Sequence, residues 1–272
     1  MHEQSIDGGI VKMRKSILVA AVTIGLAALP PVALAQACSK HSPAHTVALL
    51  ELYTSEGCSS CPPADRFVSA LGGPGLTAEQ LVPLALHVDY WDYIGWKDVY
   101  ASPVFTERQR WLSALAASRT IYTPELFIAG QELRGGVGAW RGGLPAAVRR
   151  INSRPAQAEI DIALGQPVAG QLPLNVRASA AQGGRLYLAL VENGLSSAVR
   201  AGENKGETLR HDHLVREWLG PFALTVQAGG SKVAVSRSLR LPDHALPKNL
   251  SVAAFVQSER GEVLQADRKS VV

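Results

Sequence analysis

Thr46-Val47-Ala48-Leu49-Leu50-Glu51-Leu52-Tyr53-Thr54-Ser55-Glu56-Gly57-Cys58-Ser59-Ser60-Cys61-Pro62-Pro63 runs from an apolar segment into a Cys-x-x-Cys pair. Thr46–Tyr53, interrupted only by Glu51, reads as a buried strand. Pro62 and Pro63 lack N–H groups, which costs little only in a first helical turn. A helix is therefore expected to start near Ser59 or Ser60. Peptide N–H groups at a helix start are unpaired and carry partial positive charge. A sulfur there is stabilised as thiolate, below the free thiol value of ~8.5. Cys58 is expected exposed at the lip of the turn, where it attacks or is attacked. Cys61, deeper in the first turn, resolves the mixed disulfide. A static disulfide that staples the turn is the blander reading. A metal site would need His87, His211 or His213 to complete the set, because one such pair supplies two of zinc's usual four ligands.

Outward from this motif, strand and helix patterns alternate as far as Arg154. Helix Pro62–Leu71 stops at Gly72-Gly73-Pro74-Gly75, and Leu81–Val88 is a second buried strand. An amphipathic helix at Val104–Ala117, a strand at Glu125–Ala129, a short strand near Glu132–Arg134 and a helix at Ala139–Ile151 follow. This alternation implies an α/β layer with helices on both faces of a sheet. Past Pro155 the texture changes to short runs with period-two character: Ala158–Ala163, Leu172–Ala178, Leu186–Val191, Leu224–Val226, Val233–Leu239 and Leu250–Gln257. Glu262–Ala266 would complete a last hairpin. Gly165-Gln166-Pro167, Gly183-Gly184, Gly229-Gly230 and Arg260-Gly261 separate them, as in a β-sandwich. The 272 residues thus divide into a domain over 45–154 and a second over 155–272.

Thr123-Pro124 stands immediately before the strand Glu125–Ala129. An X–Pro bond is the one inexpensive cis peptide. In cis it would expose the Thr123 backbone to an extended client chain beside the reactive sulfur. Leu52 to Asp65, His87-Val88-Asp89-Tyr90-Trp91-Asp92 and Tyr122-Thr123-Pro124 together resemble the bacterial secreted domain-of-unknown-function family 1223. Gly202-Glu203-Asn204-Lys205-Gly206 and Leu209-Arg210-His211-Asp212 extend the resemblance to about residues 45–270. It implies an exported protein with a thioredoxin-like fold, so that the expected architecture is an α/β thioredoxin-like domain followed by the all-β sandwich-like domain read from the strand spacing. The chain is also similar to the wider thioredoxin superfamily, whose nucleophile, resolving cysteine and cis proline would map to Cys58, Cys61 and Pro124. Ser59-Ser60 and Pro62-Pro63 depart from the commoner active sites of that superfamily.

The first 35 residues read as an address. Met13-Arg14-Lys15, apolar Ile17–Leu29 and Ala33-Leu34-Ala35 form the n-region, h-region and cleavage pattern of a secretory signal peptide over 1–35, with the start at Met13. Pro30-Pro31 breaks a run already short for a membrane span, so no stable transmembrane segment is expected after cleavage. Lipidation at Cys38 would need a better lipobox than Ala35-Gln36-Ala37. Export to a periplasmic or extracellular space places the cysteines where they are paired or catalytic. The only two Met residues, Met1 and Met13, lie in this leader, which leaves no thioether for a soft copper site. Twenty-seven Lys plus Arg against 23 Asp plus Glu are scattered, which does not point to nucleic acid.

Other residues carry weaker signals. Glu51 on a buried strand would either accept a proton from Cys61 or reach an Arg. Glu56, if close, would oppose the Cys58 thiolate, and Asp89 would orient Trp91 or approach the dithiol. Tyr90, Trp91, Tyr93, Trp96, Tyr100, Phe105 and Trp111 are seven of the chain's 16 aromatic residues. Thr123, Trp91 and Tyr93 are the expected substrate-binding residues on an apolar lip; a satellite core is the alternative. Gly202–Asp212, dense in charge, is expected either as a binding loop against the first domain or as a plain solvated hairpin. The expected activity is thiol–disulfide exchange by Cys58 and Cys61, helped by Pro124, on cysteine-containing exported proteins, with an unidentified redox partner. No cofactor and no metal is assigned. The alternatives are a non-catalytic binding or assembly module with a structural disulfide, and a copper-handling protein.

Overall fold

The computed structural model describes residues 1–2, 38–72 and 76–272. The signal peptide expected over 1–35 falls, beyond its first two residues, outside the described residues. In chain order the elements begin with β1 (Cys38–His41), β2 (Ala48–Thr54), α1 (Pro62–Ser69), β3 (Leu81–His87) and α2 (Pro103–Leu115). β4 (Glu125–Ile128), β5 (Gln131–Glu132) and α3 (Gly136–Asn152) follow. The remainder is strand: β6 (Ala158–Leu164), β7 (Gln171–Ala180), β8 (Arg185–Glu192), β9 (Leu195–Ala198), β10 (Thr208–His211) and β11 (Leu214–Ala223). β12 (Thr225–Gln227), β13 (Gly230–Arg240), β14 (Leu250–Gln257) and β15 (Val263–Ser270) complete it.

The expected α/β thioredoxin-like layer followed by an all-β sandwich is not the fold that forms. Strands predominate, and one mixed eight-stranded sheet runs β15-β14-β8-β11-β3-β2-β4-β5, through both halves of the chain. The joining strand is β11, antiparallel to β8 and touching β3 in parallel at Leu214–Ala85. Its sequence hides it: Arg216, Glu217 and Gly220-Pro221 interrupt any apolar alternation. The seam is short for a local reason. The Ala85 N–H donates to the His213 carbonyl at 2.8 Å, while Pro83, two residues earlier on the same edge of β3, has no N–H to offer.

Side-chain alternation divides the core into three. Val47, Leu49 and Tyr53 of β2 face α2, together with Tyr187, Ala189, Phe255 and Phe105. Ala48, Leu50 and Leu52 point the other way, onto Ala64 and Phe67 of α1 and Trp140 and Leu144 of α3. Leu186, Leu188 and Leu190 of β8, with Val252 and Ala254 of β14, pack on a second sheet of order β1-β6-β7-β13-β12. Thus α2 covers a surface built from strands on both sides of Pro155. A separate hairpin, β9–β10, leans on α1. None of the helices in the described residues is long and apolar enough to cross a membrane.

Candidate functional site

The chain leaves β2 at Thr54, turns through Ser55–Ser60 and enters α1. Cys61 is the N-cap, already in helical conformation, and its carbonyl accepts the N–H groups of Ala64 and Asp65. Cys58 and Cys61 form a disulfide with their Cα atoms 5.4 Å apart. Both are 0% exposed, so the expected exposure of Cys58 is overturned. Only Ser59 and Ser60 of the motif meet solvent.

The cover comes from far along the chain. Asn204, itself buried, donates its side-chain amide to the Glu56 carbonyl at 2.8 Å and to the Cys58 carbonyl at 3.0 Å. Next to it, the Glu203 carboxylate accepts the Ser59 N–H at 2.9 Å, which holds that exposed carboxyl below its ordinary value. These two residues sit in the turn before β10 that the sequence marked as a charged loop. One unpaired donor at the strand–helix turn, the Ser59 N–H, is therefore met by a carboxylate, and two carbonyls of the same turn are met by the Asn204 amide.

On the other side lies the Thr123–Pro124 peptide, which is cis. The Ser60 hydroxyl donates to the Thr123 carbonyl at 3.4 Å and lies 3.3 Å from the Cys58 sulfur. Thr123 Oγ1 accepts from Trp91 Nε1 at 2.7 Å. Trp91 also backs Gly57, where an added Cβ would stand 3.1 Å from the Trp91 Cβ. Cys58, Cys61, Thr123, Pro124 and Trp91 thus meet in one place. Tyr93 is 82% exposed and takes no part in these contacts. Asp89 does not orient Trp91; its carboxylate accepts from Thr106 Oγ1 at 2.5 Å.

Beneath the motif is a buried set of ionisable side chains. Asp65, one turn into α1, accepts from Thr54 Oγ1 at 2.8 Å, and burial raises its carboxyl despite opposition from His87. His87 Nδ1 meets Asp98 Oδ2 at 2.6 Å. Burial alone would lower His87, but Asp98 outweighs it and the imidazole is held above its ordinary value. His87 Nε2 has no partner among the described residues. Glu56 is pushed up by burial, yet hydrogen bonds from His211, Ser197 and Trp96 prevail and hold it low. Its oxygens take His211 Nε2 at 2.9 Å and Trp96 Nε1 at 2.7 Å. The negative charge expected to oppose the Cys58 thiolate is therefore already engaged.

Glu51 takes the structural of its two readings. Arg108 of α2 grips it with Nε at 2.5 Å and Nη2 at 3.0 Å. Glu125, immediately after Pro124, is pushed up to about 7 by burial. Among the described residues no set of three His, Cys, Asp or Glu side chains suited to a metal ion forms. His213 meets Arg268 at 3.3 Å and is pushed down to about 4 by burial and that charge. Cys38 is exposed and unpaired at the start of β1. Asp98 escaped the sequence reading, and Asp65, Glu203 and Asn204, though within motifs it quoted, were given no role of their own. Asn204 has a usable signal in hindsight, a lone amide inside the Gly202–Gly206 turn; Asp98, in an exposed-looking Lys97-Asp98 pair, has none.

A family model described as Protein of unknown function (DUF1223) matches residues 49–257, which span the motif, the cis proline and the covering turn. The chain belongs to this family. Among solved structures, the DUF1223 chain is similar to protein AGR_C_4864 from Agrobacterium tumefaciens. Identity is 22%, over 85% of this chain and 97% of that one, with a TM-score of 0.60. It is also similar to HBP35 of Porphyromonas gingivalis, at 18% identity over 84% of this chain and 76% of that one, with a TM-score of 0.63. At these identities the likeness is one of fold. No curated protein matches it.

Proposed function

We propose that the protein is an exported thiol–disulfide oxidoreductase that exchanges its Cys58–Cys61 disulfide with cysteine-containing client proteins. The observation that carries this reading is the seat of the disulfide, at the start of α1 and over the buried Asp65 and His87. A disulfide closing so short a loop stabilises a fold by roughly 2 kcal/mol on the chain-entropy model, near the low end of the usual range. Burying several ionisable groups beside it is costly, and such groups cluster where protons are handled.

In the exchange, a client thiolate attacks the Cys58 sulfur. The bond to Cys61 breaks, and Cys61 departs as a thiolate that takes up a proton. A second client thiol, once deprotonated, attacks the client sulfur of the mixed disulfide and releases Cys58. The client leaves oxidised, its two electrons reside on the reduced pair, and an exported redox partner removes them. Attack requires the Asn204 and Glu203 contacts to open. The zero exposure of both sulfurs favours a second reading, a structural disulfide in a non-catalytic binding or assembly module.

The two readings part in one experiment. A Cys61→Ala variant expressed in cells should accumulate mixed disulfides through Cys58 that dithiothreitol releases and that Cys58→Ala/Cys61→Ala lacks. Absence of adducts on a folded variant, with a wild-type disulfide that dithiothreitol reduces only on unfolding, assigns the structural role.

A further inference from the structure

A hollow of about 470 Å³ lies beside the first half of β2, at the end of that strand away from the disulfide. Three segments enclose it: the β4–β5 turn, the last turns of α3 and the β14–β15 turn. Arg150 and Arg154 come from the α3 side and Arg260 from the hairpin, against one acidic side chain, Glu262. That carboxylate is weakly engaged, 3.9 Å from Arg154 Nη1 and 3.4 Å from Gln157 Nε2. Arg150 and Arg260 have no ion-pair partner among the described residues. A second hollow of about 490 Å³ shares Arg260 and the Gly130–Gln131 turn and reaches Arg134, which Glu132 holds at 2.9 Å.

We infer that this arginine-rimmed hollow is a binding site for a small multivalent oxyanion, one bearing two or more phosphate or carboxylate groups. Guanidinium forks match such groups in bidentate fashion. Three on one concavity, offset by a single carboxylate, leave an excess of positive charge at the rim that attracts an anion. The floor suits an organic frame: Ile128 and Ile151 are 4% and 3% exposed, and Gly130 and Gly261 place bare backbone beside them. The turns are built without side chains at that point, since a Cβ on Gly130 would run into the Gly261 carbonyl. Cations on the last turn of α3 also suit its C-terminal dipole. Arg154 lies past the helix end and Arg260 belongs to another element, so the dipole does not account for the convergence. The site is independent of the redox reading and stands or falls without it.

Isothermal titration of the full chain with pyrophosphate and with citrate, at constant ionic strength and with acetate as a monovalent control, tests the inference. Expected are saturable binding at one site for at least one of the two probes, none for acetate, and binding about tenfold weaker or more in Arg150→Ala and in Arg260→Ala. Arg240→Ala, at an exposed arginine on β13, controls for net charge and should bind as the wild type does. Absence of saturable binding by both probes overturns the inference, as does an equal loss in Arg240→Ala. The tighter of the two probes tells phosphate from carboxylate chemistry.

Discussion

The buried charges around Arg108 and those around His87 are built on opposite plans. Around Arg108 everything is closed. Its guanidinium grips Glu51 with two nitrogens, spends a further hydrogen bond on Gln257 and lies within 5.0 Å of the ring centroids of Tyr187, Trp218 and Phe255. Around His87 the arrangement is open. One ring nitrogen holds Asp98 and the other has no partner among the described residues, while Asp65 nearby is held toward its neutral form. A fully satisfied pair fastens α2 to strands from both halves of the chain. An incompletely satisfied set under a disulfide keeps protonation states within reach of change.

The sharpest way to break that contrast is to remove one partner from the closed cluster. Arg108→Ala strands the Glu51 carboxylate and should cost about 3–5 kcal/mol in urea unfolding at neutral pH. His87→Asn should cost less, roughly 1–3 kcal/mol, because Asp98 keeps the N–H groups of Glu56 and Tyr100. Equal losses in the two variants would erase the distinction.

Acid–base behaviour sharpens it further. Glu125 keeps its proton in the folded state up to about 7, whereas the unfolded chain releases it near its ordinary value of 4.5. Across that window the unfolded state binds fewer protons, so this group's contribution to stability falls as pH rises. Glu125→Gln should flatten that part of the stability–pH curve. His87, held above its ordinary 6.5, gives stability that is present in acid and lost as pH rises through its folded value. His87→Asn should flatten the curve at that higher pH. The smallest expected effect is at the surface. Glu203→Gln removes a negative charge from the Ser59 N–H, so a Cys58 thiolate competes better for that donor. Its disulfide should be reduced a few-fold faster by dithiothreitol, and the thiolate absorbance of the reduced protein should titrate at lower pH.

Much of the site was legible because its signals are local. The apolar run Thr46–Tyr53, the cysteine spacing and Pro62-Pro63 place a strand, a turn and a helix, and these form at Ala48–Thr54 and Pro62–Ser69. The strands beyond Pro155 were largely readable from alternation; Leu250–Gln257 appears with the expected bounds. Illegible were the relations between distant segments. β11 carries charges and a Gly-Pro and is absent from the strands expected from alternation, yet it joins β8 to β3 and changes the architecture. Cys58 looked exposed because nothing near it in sequence can cover it, and Asn204 does so from 146 residues away. Glu51 is ambiguous for the same reason, since its partner lies 57 residues on and in another layer.

The meeting of Gly130 and Gly261 fixes more than the path of two turns. The Gly261 carbonyl accepts Gln257 Nε2 at 2.7 Å, and the oxygen of that same amide faces Arg108 Nη2 at 3.1 Å. An amide can turn over end for end, and here the surface hairpin dictates which end points inward. A methyl group on Gly130 would run into the Gly261 carbonyl, pry the hairpin away and free the amide to rotate, so the orientation of a polar group deep in the interior is set by clearance at the rim.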